Sequence, residues 1–161
     1  VSGLRTHRLV TLWLLIVTFA MVASHPLELW GKLRLDGPTW LAVQQNLYVA
    51  FAPVAALAEP GAALAAGSLA LREWRRGWAW QTSATAAALV VAGLVLWALF
   101  TAPVNAALNG WTAATLPPDW TAWRSQWEAS HAGHALLIGA ALAILLLSLV
   151  RDGDRPRKDT T

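Results

Sequence analysis

From Thr82 to Ala102 the chain carries no charged side chain, and the run stops at Pro103. An α-helix rises about 1.5 Å per residue, so a helix over this stretch would cross the roughly 30 Å hydrocarbon core of a bilayer. Three more apolar runs of similar reach accompany it, and spans are expected at about 8–25, 47–71, 80–102 and 131–150. With 57% hydrophobic against 13% charged residues, a soluble domain of 161 residues could not hide its apolar surface. The expected fold is an all-α integral membrane four-helix bundle with amphipathic extracytoplasmic helical extensions. Residues 1–150 form its single domain, and 151–161 form a disordered, polar, cytoplasmic tail. The absence of cysteine excludes disulfides, thiol redox chemistry and thiolate metal ligation.

The formal charge of +3 follows membrane topology and gives no reason to expect a nucleic acid partner. Four spans put Arg5, Arg8, Arg72, Arg75, Arg76, Arg151, Arg155, Arg157 and Lys158 on one side, against Lys32, Arg34 and Arg124 on the other. By the positive-inside rule this is a multi-pass protein of the cell membrane, in a bacterium the inner membrane, with both termini cytoplasmic. Arg5 and Arg8 before the first run, and Val22-Ala23-Ser24 after it, also fit a cleavable signal peptide. The amphipathic HPLELWGKLRL that follows favours a retained span instead.

Two links then face outward, and they hold most of the chemistry. In the first, Asp36-Gly37-Pro38 is a turn and Thr39 can cap a helix opening at Trp40. That helical pattern continues to Leu71, with bends expected at Pro53 and Pro60 that free the carbonyls of Val49 and Ala56. Glu59 lies between these bends, roughly 20 Å from the basic turn at Arg72, and an ionisable group at that depth marks a candidate functional position. In the second link, Pro117-Pro118-Asp119 closes a loop and starts a helix on which Trp120, Arg124, Trp127, His131 and His134 share one face. Arg124, Glu128 and His131 form an overlapping row in which Arg124 can pair with Glu128. An interfacial aromatic belt with a solvated ion pair is the plainer reading of the same residues. Trp74, Trp78 and Trp80 at the inner face, and Trp30, Trp40 and Trp111 at the outer, are expected to be interfacial anchors. Gly61, Ala63, Gly67, Gly93 and Gly139 offer close helix contact.

The segment PVNAALNGWTAATLPPDWTAWRSQWEASHAGHALL resembles the second half of the anthrone oxygenase-like family of small four-helix membrane proteins, most bacterial members of which are classed as a domain of unknown function. LELWGKLRLDGPTWLAVQQNLYVAF resembles the first polar link of a bacterial branch. The resemblance covers most of the chain apart from its termini, and it points to Asn105, Trp120, Arg124, Trp127, Glu128 and His131, and to Glu28, Lys32, Gln45 and Tyr48. Glu59 resembles a glutamate of the second helix in that branch, although Pro60 after it departs from the pattern. The resemblance implies an oxidoreductase that oxidises a polycyclic phenolic or other apolar aromatic molecule with dioxygen, without a tightly bound cofactor. His131 would act as base, oriented by Glu128, with Arg124 and Asn105 stabilising negative charge and the tryptophans lining a flat outward pocket.

Two other classes stand beside this one. Glu128-x-x-His131, extended by His134 and joined by His25-x-x-Glu28, has carboxylate–imidazole spacing suited to iron, manganese or zinc, but a two-metal bundle would use two such motifs. No metal is therefore expected. A non-enzymatic binding or accessory membrane subunit would need only the pocket.

Overall fold

The computed structural model describes residues 2–153, and every regular element among them is a helix. Most of the expected tail, from residue 154 onward, lies outside the described residues; Arg151 to Gly153 continue the last helix. The elements are α1 (Ser2–Lys32), α2 (Gly37–Leu47), α3 (Phe51–Glu73), α4 (Trp78–Leu96), a π turn (Trp97–Thr101), α5 (Ala102–Asn109) and α6 (Trp120–Gly153). Four helical stretches, Gly3–Lys32, Phe51–Glu73, Trp78–Asn109 and Trp120–Asp152, are long and apolar enough to cross a membrane. They form a four-helix bundle in which α1 lies between α3 and α6, as does α4 on the opposite side.

Prolines set the breaks, though not where the sequence suggested. The long pattern from Trp40 to Leu71 is interrupted at residues 48–50, before Pro53. A proline ring at 53 clashes with the carbonyl four residues back, at Val49, so a new helix begins at Phe51 and carries Pro53 in its first turn, where no backbone donor is needed. Pro60 lies inside α3 without ending it. Nor does Pro103 end the third span. The π turn before it passes the Ala102 N–H to the Trp97 carbonyl, five residues back, and the wider turn lets the helix run on to Asn109.

Lipid chains are as apolar as leucine, so close packing and interhelical hydrogen bonds hold such a bundle. The core gathers Leu12, Leu15, Ala62, Leu69, Val90, Ile138, Ala141 and Leu145, while Leu57, Leu64 and Leu71 stand exposed at seven-residue spacing along α3. Three of the small residues named above sit at contacts: Gly61 against Leu14, Gly93 against His134 and Gly139 against Phe19. Gly67 differs, because nothing lies within 4 Å of the Cβ it lacks.

The end of the bundle that carries the α3–α4 turn is fastened through one carboxylate. Glu73, 1% exposed, accepts from Arg8 of α1 at 2.6 Å and from Ser83 of α4 at 2.7 Å, and Arg8 also pairs with Asp152 of α6 at 2.7 Å. All four long helices therefore meet there. At the other end α2 lies across α5 and the start of α6, building a second core from Trp40, Leu41, Val104, Leu108 and Trp127. Trp40 is fully buried there and is not an interfacial anchor. A Cβ on Gly37 would stand 2.9 Å from the Trp120 ring, so α2 can begin this close only at glycine. Asp36 caps it, its carboxylate accepting from the Thr39 N–H at 2.9 Å, and the side-chain and backbone bonds of Thr39 hold that carboxyl below its usual value.

Candidate functional site

Beneath the second core, side chains from α1, the α2–α3 turn and α6 meet in one aromatic and ionisable group. His131 and Trp127 are one turn apart on α6, with ring centroids 3.9 Å apart. His25 of α1 fits edge-on against both, at 4.2 Å from the His131 ring and 4.8 Å from Trp127, and Tyr48 closes on it at 4.8 Å. His25, Trp127 and His131 are all buried. Two turns along α1, the Lys32 ammonium lies over Trp127 at 4.5 Å and Tyr48 at 5.0 Å. It stands 3.1 Å from Glu28 and 3.6 Å from Glu128.

The hydrogen bonds define the chemistry of this group. His131 Nδ1 is 2.8 Å from the Trp127 carbonyl. A carbonyl can only accept, so Nδ1 carries the proton of the neutral ring and Nε2 keeps the lone pair. The Trp127 backbone, rather than Glu128, thus orients His131. His25 Nδ1 and both Glu128 oxygens are buried without a hydrogen-bond partner among the described residues. Such atoms cost about 1–3 kcal/mol each unless a polar group meets them. The Tyr48 hydroxyl donates to Glu28. Burial first, and that bond second, push the Tyr48 phenol well above its usual value.

Six of the residues drawn from the resemblance therefore come together, Glu28, Lys32, Tyr48, Trp127, Glu128 and His131, and His25 of the metal-spacing reading joins them. Four others stand around them with structural partners. Arg124 donates to the carbonyls of Lys32 and Leu35, both at 3.3 Å, finishing α1, and stacks on Trp120 at 4.7 Å; the expected Arg124–Glu128 pair gives way to Lys32 against Glu128. Asn105 accepts from the Trp127 indole at 2.9 Å and fixes that ring. Gln45 donates to the carbonyls of Leu108 and Trp111, at 2.8 and 3.0 Å, and joins α2 to the end of α5. Trp120 packs on Trp40 at 5.9 Å, within the second core.

Compared with family models, with curated proteins and with solved structures, the chain matches none.

Glu59 lies deeper, apart from this group. Its carboxylate meets His134 Nε2 at 2.5 Å, and the two side chains are 7% and 1% exposed. His134, absent from the residues drawn from the resemblance, is thus the partner of the buried Glu59 carboxylate. Its signal in the sequence was the three-residue step from His131, which places both imidazoles toward the bundle. His25 carried a similar signal, with Glu28 and Lys32 following at steps of three and four on one face of α1. Among the described residues no three histidine, aspartate or glutamate side chains are grouped to hold a metal ion.

Proposed function

We propose that this chain is a membrane oxidoreductase of the anthrone oxygenase-like type, acting on a polycyclic phenolic or other apolar aromatic molecule with dioxygen. The observation that carries the reading is His131: its Nδ1–H is committed to the Trp127 carbonyl, and its unprotonated Nε2 belongs to a buried stack of rings beside an ammonium group. In such a site Nε2 removes a proton from the substrate, Lys32 and His25 hold the anion that forms, and Trp127 and Tyr48 flank the flat ring. Written for an anthrone, the ring methylene becomes a carbonyl. One atom of dioxygen enters that carbonyl and the other leaves as water with the two methylene hydrogens, so the four electrons lost by carbon are those gained by oxygen.

The rings pack closely against one another, and Tyr48 is the one member carried by a turn between helices. Admission of a substrate therefore requires Tyr48 to swing away from His25. Arg5, Arg8, Arg72, Arg75, Arg76 and Arg151 fall at the far end of the bundle, and this bias supports cytoplasmic termini and a site opening to the outer leaflet. The close packing also favours a second reading, a binding or accessory subunit that takes up an apolar aromatic molecule without transforming it.

Dioxygen uptake by the purified protein with a hydroxylated anthrone tests the proposal. Uptake matched to substrate loss is expected for the wild type, with at least a hundredfold loss of rate in His131→Gln, in line with removal of a general base. Equal rates in the two proteins, or no uptake by either, would overturn it; saturable binding without uptake would leave the accessory reading.

A further inference from the structure

The end of the bundle that carries the α3–α4 turn holds more positive charge than its own carboxylates neutralise. Among the described residues it gathers Arg5, Arg8, Arg72, Arg75, Arg76 and Arg151 against Glu73 and Asp152. Arg8 takes both acids, at 2.5 and 2.7 Å, and Glu73 is closed off from solvent. Arg72 is turned toward α1, its Nη1 donating to His7 Nδ1 at 3.1 Å. Arg75, Arg76 and Arg151 are exposed and enter none of the ion pairs described.

Two of these arginines are splinted by exposed indoles. The Arg75 guanidinium lies over the Trp74 ring at 4.7 Å, and the Arg151 guanidinium over Trp78 at 4.6 Å. Trp74, Trp78 and the neighbouring Trp80 are all exposed. Stacking occupies the flat face of a guanidinium, whereas its N–H donors lie in the plane and point outward from the edge. Each stack therefore holds an open fork of donors in place, the shape that takes two oxygens of a phosphate at once. Arg76 stands beside Gly77, which turns the chain at φ 54°. Gly77 offers α4 no side-chain cap, so the backbone N–H groups of that first turn add to the positive field.

The depth of the cluster narrows the class of anion. The membrane-length stretch of α3 ends at Glu73 and the next begins at Trp78, so residues 74–77 have no length with which to leave the bilayer surface. Exposed tryptophans belong at the same headgroup level. A soluble polyanion would meet indole here where it needs polar surface. A phospholipid would meet arginine with its phosphate and indole with its glycerol backbone.

We propose that the α3–α4 turn and the end of α6 form a binding surface for anionic phospholipid, in which the forks of Arg75 and Arg151 take the phosphate oxygens of the headgroups and Arg76 adds its charge. A zwitterionic lipid is a poorer occupant, because its own ammonium would face the same arginines. This surface is independent of the oxidation proposed above and of the side of the membrane on which the turn lies.

Native mass spectrometry of the detergent-purified full chain, titrated with phosphatidylglycerol or with phosphatidylcholine of the same acyl chains, tests the surface. A basic side chain near the headgroups is worth about fivefold in affinity for anionic lipid. Phosphatidylglycerol should therefore bind on the order of tenfold more tightly than phosphatidylcholine, and Arg75→Gln with Arg151→Gln should remove most of that preference. Arg34→Gln, which removes an exposed arginine from the opposite end, should leave it intact. Equal binding of the two lipids by the wild type, a preference that survives the double variant, or its loss in Arg34→Gln would overturn the proposal. Displacement of the lipid by soluble glycerol phosphate would overturn it in favour of a free phosphate ester. Should the double variant fail to fold, Arg75→Lys with Arg151→Lys keeps both charges and loses both forks. It must still lower the preference, and an unchanged preference refutes the assignment.

Discussion

Gly93→Ala against Gly67→Ala separates close helix approach from helix propensity. Both glycines lie inside long helices, so each replacement removes backbone freedom from the unfolded chain and should stabilise by about 0.5–1 kcal/mol on that account. At Gly67 nothing stands within 4 Å of the new methyl, and that gain should be the whole effect. At Gly93 the methyl would lie 2.8 Å from two atoms of His134, a ring only 1% exposed and held by Glu59 at 2.5 Å. Relieving the clash means displacing a buried ring or parting α4 from α6, and overpacking of this kind costs about 1–3 kcal/mol. The propensity gain is common to both variants and cancels, so Gly93→Ala should be less stable than Gly67→Ala by about that same 1–3 kcal/mol. Reversible unfolding in mixed micelles by added dodecyl sulfate, followed by helical circular dichroism, measures the gap. Equal midpoints and slopes would mean that His134 does not occupy the space left by Gly93, and the Glu59–His134 pair would fall with it.

The fastening at the other end gives a second expectation: Arg8→Ala leaves the buried Glu73 carboxylate with Ser83 as its remaining described partner, which should cost about 3–5 kcal/mol in the same titration. Ser83→Ala, which removes one hydrogen bond, should cost about 1 kcal/mol, and a reversed order would contradict the geometry. Tyr48 is the only tyrosine, so phenolate absorbance in alkali reports it alone. Because its phenol is raised in the folded state, the fold should lose stability as pH climbs above the unfolded value of about 10, having kept it fully below, and the phenolate should appear at higher pH than in denatured protein; coincident curves would place Tyr48 in open water.

The fold was legible because lipid demands long apolar runs, and such runs are read directly from composition and spacing. Breaks were less legible. A proline marks a constraint, but whether it ends a helix, opens one or is absorbed depends on the turn before it: Pro53 falls in a first turn, Pro60 inside α3, and Pro103 after a π turn that no residue type announces. Helical spacing likewise brought Trp127, Glu128 and His131 toward one another. It could not tell that Arg124 would bind the carbonyls of Lys32 and Leu35, or that Gln45 would tie down α5, because those partners are backbone atoms distant in the chain. The joining of Glu59 to His134 was hidden for a related reason. It depends on a missing side chain, Gly93, on a third helix.

The π turn at Trp97–Thr101 fits one residue more into the helix than an α-helical turn would hold. It works as a phase shifter between α4 and α5. Removing one residue there would rotate everything beyond it by about 100°, carrying Asn105 away from the Trp127 indole and Val104 and Leu108 out of the second core, while α4 kept its place in the bundle. Insertions and deletions at this point thus act on the C-terminal end of that helix alone, and α4 and the roof over the site can change their register independently.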